Sequence, residues 1–522
     1  MRLGEAVIDL LVREYGVDTV FGIPGVHNIE LYRGLHRSGV RAVSPRHEQG
    51  AGFMADGWSV VTGRPGVCTL ISGPGLTNAL TPMAQAFHDS RPMLVLAATT
   101  PTDALGRRLG PLHDLDDQAA VARTVTAFSE TVLHPDEVPE LLAMAFEVFS
   151  SSRPRPVHLA FPTDVLEMEV EPLQPFVGAA TRPAPSPSAV EAAVALLGSA
   201  TSPVIIAGGG AIDAGTELRH LAEVLDAPVV LTGNAKGVLA SSHPLCAGNV
   251  LVVPAVQSAL EAADVVLVVG SEVSDADLYN GGRALEFSGV VVRIDIDPDQ
   301  LDRRMQPDVR IVSDSSAALA ALAHHLRRRS TDGAVRAARL RSAASAGTPE
   351  HLVSWIEAIQ QALPHDVIVA LDSTQLAYSA HVRLSAEHPR SWLAPYGMGT
   401  LGCALPMAIG AAIGAPDRPV FALAGDGGWL FTVAEMATAV DEGLNLVLVV
   451  WDNRGYAQIR QSFDDAHAPR MGVDVSSVDP VGIAAGFGWS TTTVHHPDAL
   501  QVAMTAAFAT GGPQFIRVVV PD

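Results

Sequence analysis

Two short stretches hold residues that could do chemistry together: Leu423-Ala-Gly-Asp-Gly-Gly-Trp429 and Val449-Val-Trp-Asp-Asn-Arg-Gly455. Asp426 offers a carboxylate, Asn453 an amide carbonyl and Gly455 a backbone carbonyl, the oxygen set a hard cation takes. Mg²⁺ in particular is held by few protein ligands plus phosphate oxygens, in near-octahedral geometry. Gly425, Gly427 and Gly428 let the backbone approach a diphosphate, and a helix starting after them would present free N–H groups to it. Taken alone, Gly425-Asp-Gly427 also fits a βα turn with a capping Asp.

Strands must position these residues. Val420 to Leu423 and Leu446 to Val450 are apolar runs that read as buried strands. Glu435 to Gly443 between them is long enough for one crossover helix. Asp426 and Asn453 are therefore expected side by side at the carboxyl ends of neighbouring parallel strands, where open α/β sheets place their ligands.

At this spacing the two stretches resemble the thiamine diphosphate (ThDP) signature, a Gly-Asp-Gly followed one crossover later by Asn-Asn. Asp452-Asn453 departs from the usual pair, but the ligating position is the second, which is kept. The resemblance extends over nearly the whole chain, to the 2-oxo acid enzymes that include acetolactate synthase, benzoylformate decarboxylase and pyruvate decarboxylase. It implies ThDP with Mg²⁺ at Asp426, Asn453 and Gly455. Around the cofactor it implies Gly25, Gly75, Asn78, Gly425, Gly427, Gly428 and Tyr456, with Ser373, Thr374 and Gln375 meeting the diphosphate. The Gly399 carbonyl would accept from the cofactor's 4′-amino group, and Leu401 would wedge the cofactor into a bent shape that brings that group to the reacting carbon. Gly397-x-Gly399-x-x-Gly402 formally fits a dinucleotide fingerprint too, but Trp392 to Pro395 before it is a poor strand.

Glu48, in Pro45-Arg-His-Glu-Gln-Gly-Ala-Gly52, matches the family's N-terminal catalytic glutamate. A carboxyl at the cofactor's pyrimidine ring stabilises the tautomer that removes the thiazolium proton, which is acid–base help delivered through the ring. Without that context, Glu48 would read as a carboxylate at a helix N-terminus. On the substrate side stand His27, His88 and His113; His113 could handle the proton that replaces CO₂. Each could equally be a surface or core histidine. Asp114, Asp116 and Asp117 flank His113, and carboxylates are what a guanidinium seeks. Gln458 is neutral where a Glu would hold a cation.

The bulk composition fits. In 522 residues, about 150 per domain suggests three domains. A net charge of −22 argues against nucleic acid, and no apolar run approaches a membrane span. Cys68, Cys246 and Cys403 show no CxxC spacing and read as reduced core residues of a cytoplasmic protein.

Apolar runs alternating with helix-length segments predict an α/β fold of three doubly wound parallel sheets. The expected domains are 1–170 (pyrimidine-binding), 188–330 (middle) and 350–522 (diphosphate- and Mg²⁺-binding). A Pro/Ala-rich linker is expected at Pro172 to Ser188, and a basic, partly helical connector at Leu326 to Gly347. The first and third domains share a strand-helix plan suggestive of duplication. In the middle domain Gly208-Gly-Gly210 could touch a nucleotide or merely pack a helix, and Ser271-Glu-Val-Ser274 is unlike the Arg-rich segment of flavin-binding relatives, so FAD is not expected. The sequence stops at Pro521-Asp522, right after its last strand, whereas many relatives add a tail over the active site.

The expected activity is decarboxylation of a 2-oxo acid through a thiazolium ylid and an enamine that is then protonated. The runs around Phe21 to Gly34, Pro45 to Gly57 and Leu112-His-Asp look most like the 5-guanidino-2-oxopentanoate (2-ketoarginine) decarboxylases. An acetolactate synthase-like carboligase is the alternative. A nicotinamide-dependent dehydrogenase and a non-catalytic family member are remoter ones. Family members place their active sites between subunits, so a homodimer or homotetramer is expected.

Overall fold

A computed structural model describes residues 1–176, 178, 180–475 and 478–520. The expected chain end at Pro521-Asp522 and two positions of the expected linker, 177 and 179, lie outside the described residues. The described strands form three six-stranded sheets in which every pairing is parallel.

The first sheet comprises β1 (Thr19–Gly22), β2 (Arg41–Val43), β3 (Gly66–Leu70), β4 (Met93–Thr99), β5 (Phe128–Thr131) and β6 (Pro156–Pro162), in the order β2-β1-β3-β4-β6-β5. The second comprises β7 (Val204–Ala207), β8 (Val229–Leu231), β9 (Cys246–Gly248), β10 (Val265–Val269), β11 (Val290–Asp295) and β12 (Val309–Val312), in the order β12-β11-β10-β7-β8-β9. The third comprises β13 (Ile368–Leu371), β14 (Trp392–Leu393), β15 (Val420–Gly425), β16 (Leu446–Asp452), β17 (Ser490–Val494) and β18 (Pro513–Val519), in the order β14-β13-β15-β16-β18-β17. The first and third orders are the same permutation, as a duplicated plan requires. The middle order is that of a dinucleotide-type fold.

Central strands match the apolar runs of the sequence to within a few residues. The unanticipated ones, β5, β9, β12, β14 and β17, all lie at sheet edges. An edge strand needs to bury less, and Ser490-Thr-Thr-Thr-Val494 or Phe128-Ser-Glu-Thr131 carries little apolar signal. Trp392-Leu393, weak as a strand in sequence, does pair with β13.

The outer domains meet through two helices, Glu48–Thr62 and Ala404–Gly414, with reciprocal backbone contact. A Cβ on Gly57 would stand 2.1 Å from the Met407 carbonyl oxygen, and one on Gly410 would stand 1.9 Å from that of Met54. Only glycine allows this approach. Gly410→Ala is expected to lower stability by about 1–3 kcal/mol, because neither backbone can yield. Gly486→Ala, where an added Cβ meets nothing within 4 Å, should leave the melting temperature unchanged. Equal melting of the two variants would show that the crossing tolerates the methyl.

Arg91 joins all three domains: it donates to Asp56 Oδ2 at 2.9 Å, to Asn234 Oδ1 at 3.1 Å and to the Ala394 carbonyl at 3.3 Å. In the middle domain, Gly208 and Gly210 press on Gly270 at the end of β10, which accounts for both glycines by packing. Cys68, Cys246 and Cys403 are buried and unpaired, one in each domain. Among the described residues no helix is long and apolar enough to cross a membrane.

Candidate active site

Strands β15 and β16 run side by side with Gly425 opposite Trp451, which sets Asp426 and Asn453 at adjacent carboxyl ends. Asp426 Oδ2 accepts from the Gly455 N–H at 2.7 Å. The Asn453 amide end lies 2.9 Å from the Gly455 carbonyl oxygen and 3.2 Å from Asp426 Oδ1. With its oxygen turned inward, three acceptors meet with no proton between them, an arrangement that a cation would neutralise. With its nitrogen inward, the amide donates to both. Burial pushes the Asp426 carboxyl up to about 6, and a positive ion would reverse that cost. Among the described residues no three His, Cys, Asp or Glu gather as a metal site, so a cation here would rely on one carboxylate and neutral oxygens.

Asp452 turns away from this point. Its carboxylate takes Arg517 Nε at 2.7 Å and the Arg454 N–H at 3.2 Å, which explains how the first position of the usual Asn pair can change without touching the ligand set.

The glycines of the turn sit close against neighbouring side chains. A Cβ on Gly425 would stand 3.0 Å from Thr374 Oγ1, and one on Gly427 would stand 2.6 Å from the Tyr456 ring. One expectation needs correcting here: the helix starts at Asp426 itself, runs only to Trp429, and continues as a single 3₁₀ turn, Leu430–Thr432. Gln375 lies within 3.2 Å of the Asn453 amide.

Asp372 belongs to the same cradle but faces inward. Its carboxylate accepts from the N–H groups of Ser373 and Gly402, both at 2.8 Å, and burial pushes it up to about 7. Thr432 Oγ1 donates to the Gly402 carbonyl at 2.7 Å, so Gly402 is held at both its N–H and its carbonyl immediately after Leu401. Ser373 Oγ donates to the Gly399 carbonyl at 3.1 Å. Leu401 is half-buried and Gly399 is exposed.

In the first domain Glu48 opens its helix, 9% exposed, and its Oε2 accepts from Asn78 Nδ2 at 2.9 Å. Gly25 and Gly75 both abut Ile71, which draws together the turns after β1 and β3. His27 and His113 come together with ring centroids 5.0 Å apart. Both Nδ1 atoms are buried without a partner, as is Asp114 Oδ1. Burial, then the neighbouring His113, holds His27 below the usual imidazole range.

Other expected substrate residues are dispersed. Asp117 caps the Gln118–Arg123 helix through the Ala120 N–H, and Asp116 pairs with Arg108 at the surface, leaving Asp114 as the carboxylate of the three with an unmet oxygen. His88 packs against Gly397 and lines a different cavity, to which all three domains contribute. Gln458 lies in the first turn of the Ala457–Asp465 helix, half-buried.

Sequence reasoning passed over Glu435. Thr432-Val-Ala-Glu435 has the spacing of a capping box, in which the two side chains satisfy their own helix start. Here Thr432 serves Gly402, and Glu435 reaches the other domain, where it accepts from the N–H groups of Arg46 and His47.

Three family descriptions match successive parts of the chain. Residues 1–121 match the N-terminal TPP binding domain of thiamine pyrophosphate enzymes, 190–322 their central domain and 372–518 their C-terminal TPP binding domain. The chain is 42% identical to the probable 2-ketoarginine decarboxylase of Pseudomonas aeruginosa, over 99% of this chain and 94% of the relative. It is 30% identical to acetolactate synthase isozyme 1 large subunit of Escherichia coli, over 99% and 93%. With the acetolactate synthase large subunit of Corynebacterium glutamicum the identity is 33%, over 88% and 76%.

Proposed function

The chain belongs to the thiamine pyrophosphate enzymes, and from that premise we propose that it decarboxylates a 2-oxo acid non-oxidatively, with 5-guanidino-2-oxopentanoate as its favoured substrate. The observation that carries the reading is the cluster of unmet polar atoms at His27, His113 and Asp114. Buried polar groups without partners await a ligand or water. A guanidinium satisfies a carboxylate by charge-assisted hydrogen bonds, which assigns Asp114 to the distal end of the substrate. The name of the relative from Pseudomonas aeruginosa supports the same substrate.

Bound ThDP supplies the electron sink into which the carboxylate's electrons flow as CO₂ leaves. The chain's own residues do the rest. Asp426, Asn453 and the Gly455 carbonyl hold Mg²⁺. Gly425, Gly427, Gly428, Ser373, Thr374 and Gln375 meet the diphosphate, and Tyr456 backs Gly427. Gly25, Gly75 and Asn78 wall the pyrimidine. Glu48 would hold a proton against the pyrimidine, and Leu401 with the Gly399 carbonyl would help seat the cofactor. His113, with neutral His27 beside it, returns a proton to the product carbon.

The domains run over 1–170, 188–330 and 350–522. The site is completed by a second copy, as a homodimer or homotetramer: Val26, Leu112, Met398, Phe431, Ile459 and Met471 are exposed apolar side chains on the segments that frame both halves. The middle domain takes no flavin. Its Gly208 and Gly210 are accounted for by packing on Gly270, and Ser271-Glu-Val-Ser274 after β10 carries no arginine. Reduced, buried cysteines suit a cytoplasmic location.

Comparing 2-ketoarginine, pyruvate, 2-oxoisovalerate and benzoylformate at equal concentrations, by CO₂ release and mass spectrometry, tests the substrate. The expected result is the highest kcat/KM for 2-ketoarginine, with the corresponding aldehyde as product. Acetolactate formed from pyruvate at a higher kcat/KM would make the protein a carboligase. No CO₂ from any of the four would remove catalysis on these substrates.

A further inference from the structure

The two domains that carry the cofactor hold each other's reactive segments by backbone hydrogen bonds from one buried side chain apiece. Glu435, 1% exposed, opens the Glu435–Asp441 helix, which follows the short Asp426–Trp429 helix after β15. Its carboxylate accepts from the N–H groups of Arg46 and His47, each at 3.1 Å, and from Thr438 Oγ1 at 2.7 Å. Those two peptides immediately precede Glu48. The approach is so close that a Cβ on Gly50 would lie 2.2 Å from Glu435 Oε1. The counterpart is Gln85, fully buried in the helix that follows β3. Its Oε1 accepts from the Met398 N–H at 3.2 Å, and that peptide immediately precedes Gly399. β3 and β15 occupy the same place in their two sheets, so the contacts are reciprocal.

We propose that Glu435 is a positioning residue for catalysis: it fixes the first turn of the Glu48 helix from the diphosphate-binding domain, and so sets the carboxyl of Glu48 against the cofactor ring. The Glu435 carboxylate is nine residues beyond Asp426, so in an assembly whose sites lie between copies the segment that would hold the metal of one site aims the acid–base group of the next. A helix start whose two N–H groups donate to one carboxylate has little freedom to tilt, and a displacement of about 1 Å in such a group costs on the order of 10²-fold in rate. The inference rests on the assignment of Glu48 as that acid–base group.

The test uses the ThDP- and Mg²⁺-loaded protein and three variants: Glu435→Gln, Glu48→Gln and the double variant. Glu435→Gln keeps the shape but puts an amide NH₂, itself a donor, where one carboxylate oxygen met the Arg46 N–H. It is therefore expected to fold yet loosen the two amides, where Glu435→Ala would leave both without this acceptor. Three quantities are read: ThDP affinity by fluorescence titration, exchange of the cofactor's C2 proton by NMR, and protection of the Arg46 and His47 amides by hydrogen exchange. Glu435→Gln should lose amide protection at those two positions and slow C2 exchange at least tenfold, with ThDP affinity within threefold of the parent. The double variant should be no slower than Glu48→Gln alone, the non-additivity of residues acting as a unit. If Glu48→Gln slows exchange and Glu435→Gln does not, the positioning role is overturned and the Glu48 assignment stands. If neither slows it, both fall. If Glu435→Gln loses ThDP affinity in step with exchange, or adds to Glu48→Gln, Glu435 is only a structural support.

Discussion

Glu48→Gln is expected to lower turnover by roughly 10²–10⁴-fold, the range for loss of a positioned acid–base group, while ThDP still binds. Glutamine keeps the size of the side chain and can still meet Asn78, whose amide now donates to Glu48 Oε2 at 2.9 Å. What glutamine lacks is an exchangeable carboxyl proton. The loss should therefore fall on kcat, with substrate KM little changed, because the interaction is made in the transition state and not in the ground state. A variant with parental turnover would take Glu48 out of the mechanism. A variant that no longer binds ThDP would make Glu48 a binding group instead.

Asp426→Ala is expected to abolish the stabilisation that ThDP and Mg²⁺ confer. A ligand at 100 times its dissociation constant adds about 2.7 kcal/mol, so the loaded parent should melt well above the same protein after chelation and dialysis. The variant should show no such difference. Its apo form is expected to melt close to the apo parent, because relief of a buried carboxylate is offset by loss of the hydrogen bond it accepts from the Gly455 N–H. A parent whose melting ignores the cofactor, or a variant that keeps the full shift, would refute the assignment of this turn.

Much of this was legible in the chain. Central strands such as Leu446–Asp452 are written as near-continuous apolar runs because both their faces are covered, and the residues at their carboxyl ends inherit their positions from the sheet. Asp426 and Asn453 could be paired on paper for that reason. The edges could not be read, because Ser490–Val494 and Phe128–Thr131 are half-solvated and gain their pairing from neighbours distant in sequence. The same holds for contacts between domains. Nothing local distinguishes Thr432-Val-Ala-Glu435 from a helix cap, or shows that Asp116 and Asp117 are already engaged by Arg108 and a helix start while Asp114 is not. The meeting of His27 with His113 brings the turn after β1 to the long connection after β4, a contact that no short window of sequence contains.

The three cysteines turn the molecule into its own stopwatch. Cys68 lies on β3, Cys246 on β9, and Cys403 directly before the Ala404–Gly414 helix, one thiol to each domain. Burial pushes Cys68 up to about 12, Cys246 up to about 11 and Cys403 well above the ordinary thiol range. An alkylating reagent attacks the thiolate, so none of the three reacts while its surroundings stay closed. Each modification therefore records one opening event in a known region, and peptide mapping after timed labelling separates the three clocks without introducing a probe. If the Arg91 junction makes the chain open as a unit, the three sites label at one rate. If the middle domain loosens alone, Cys246 runs ahead of the other two.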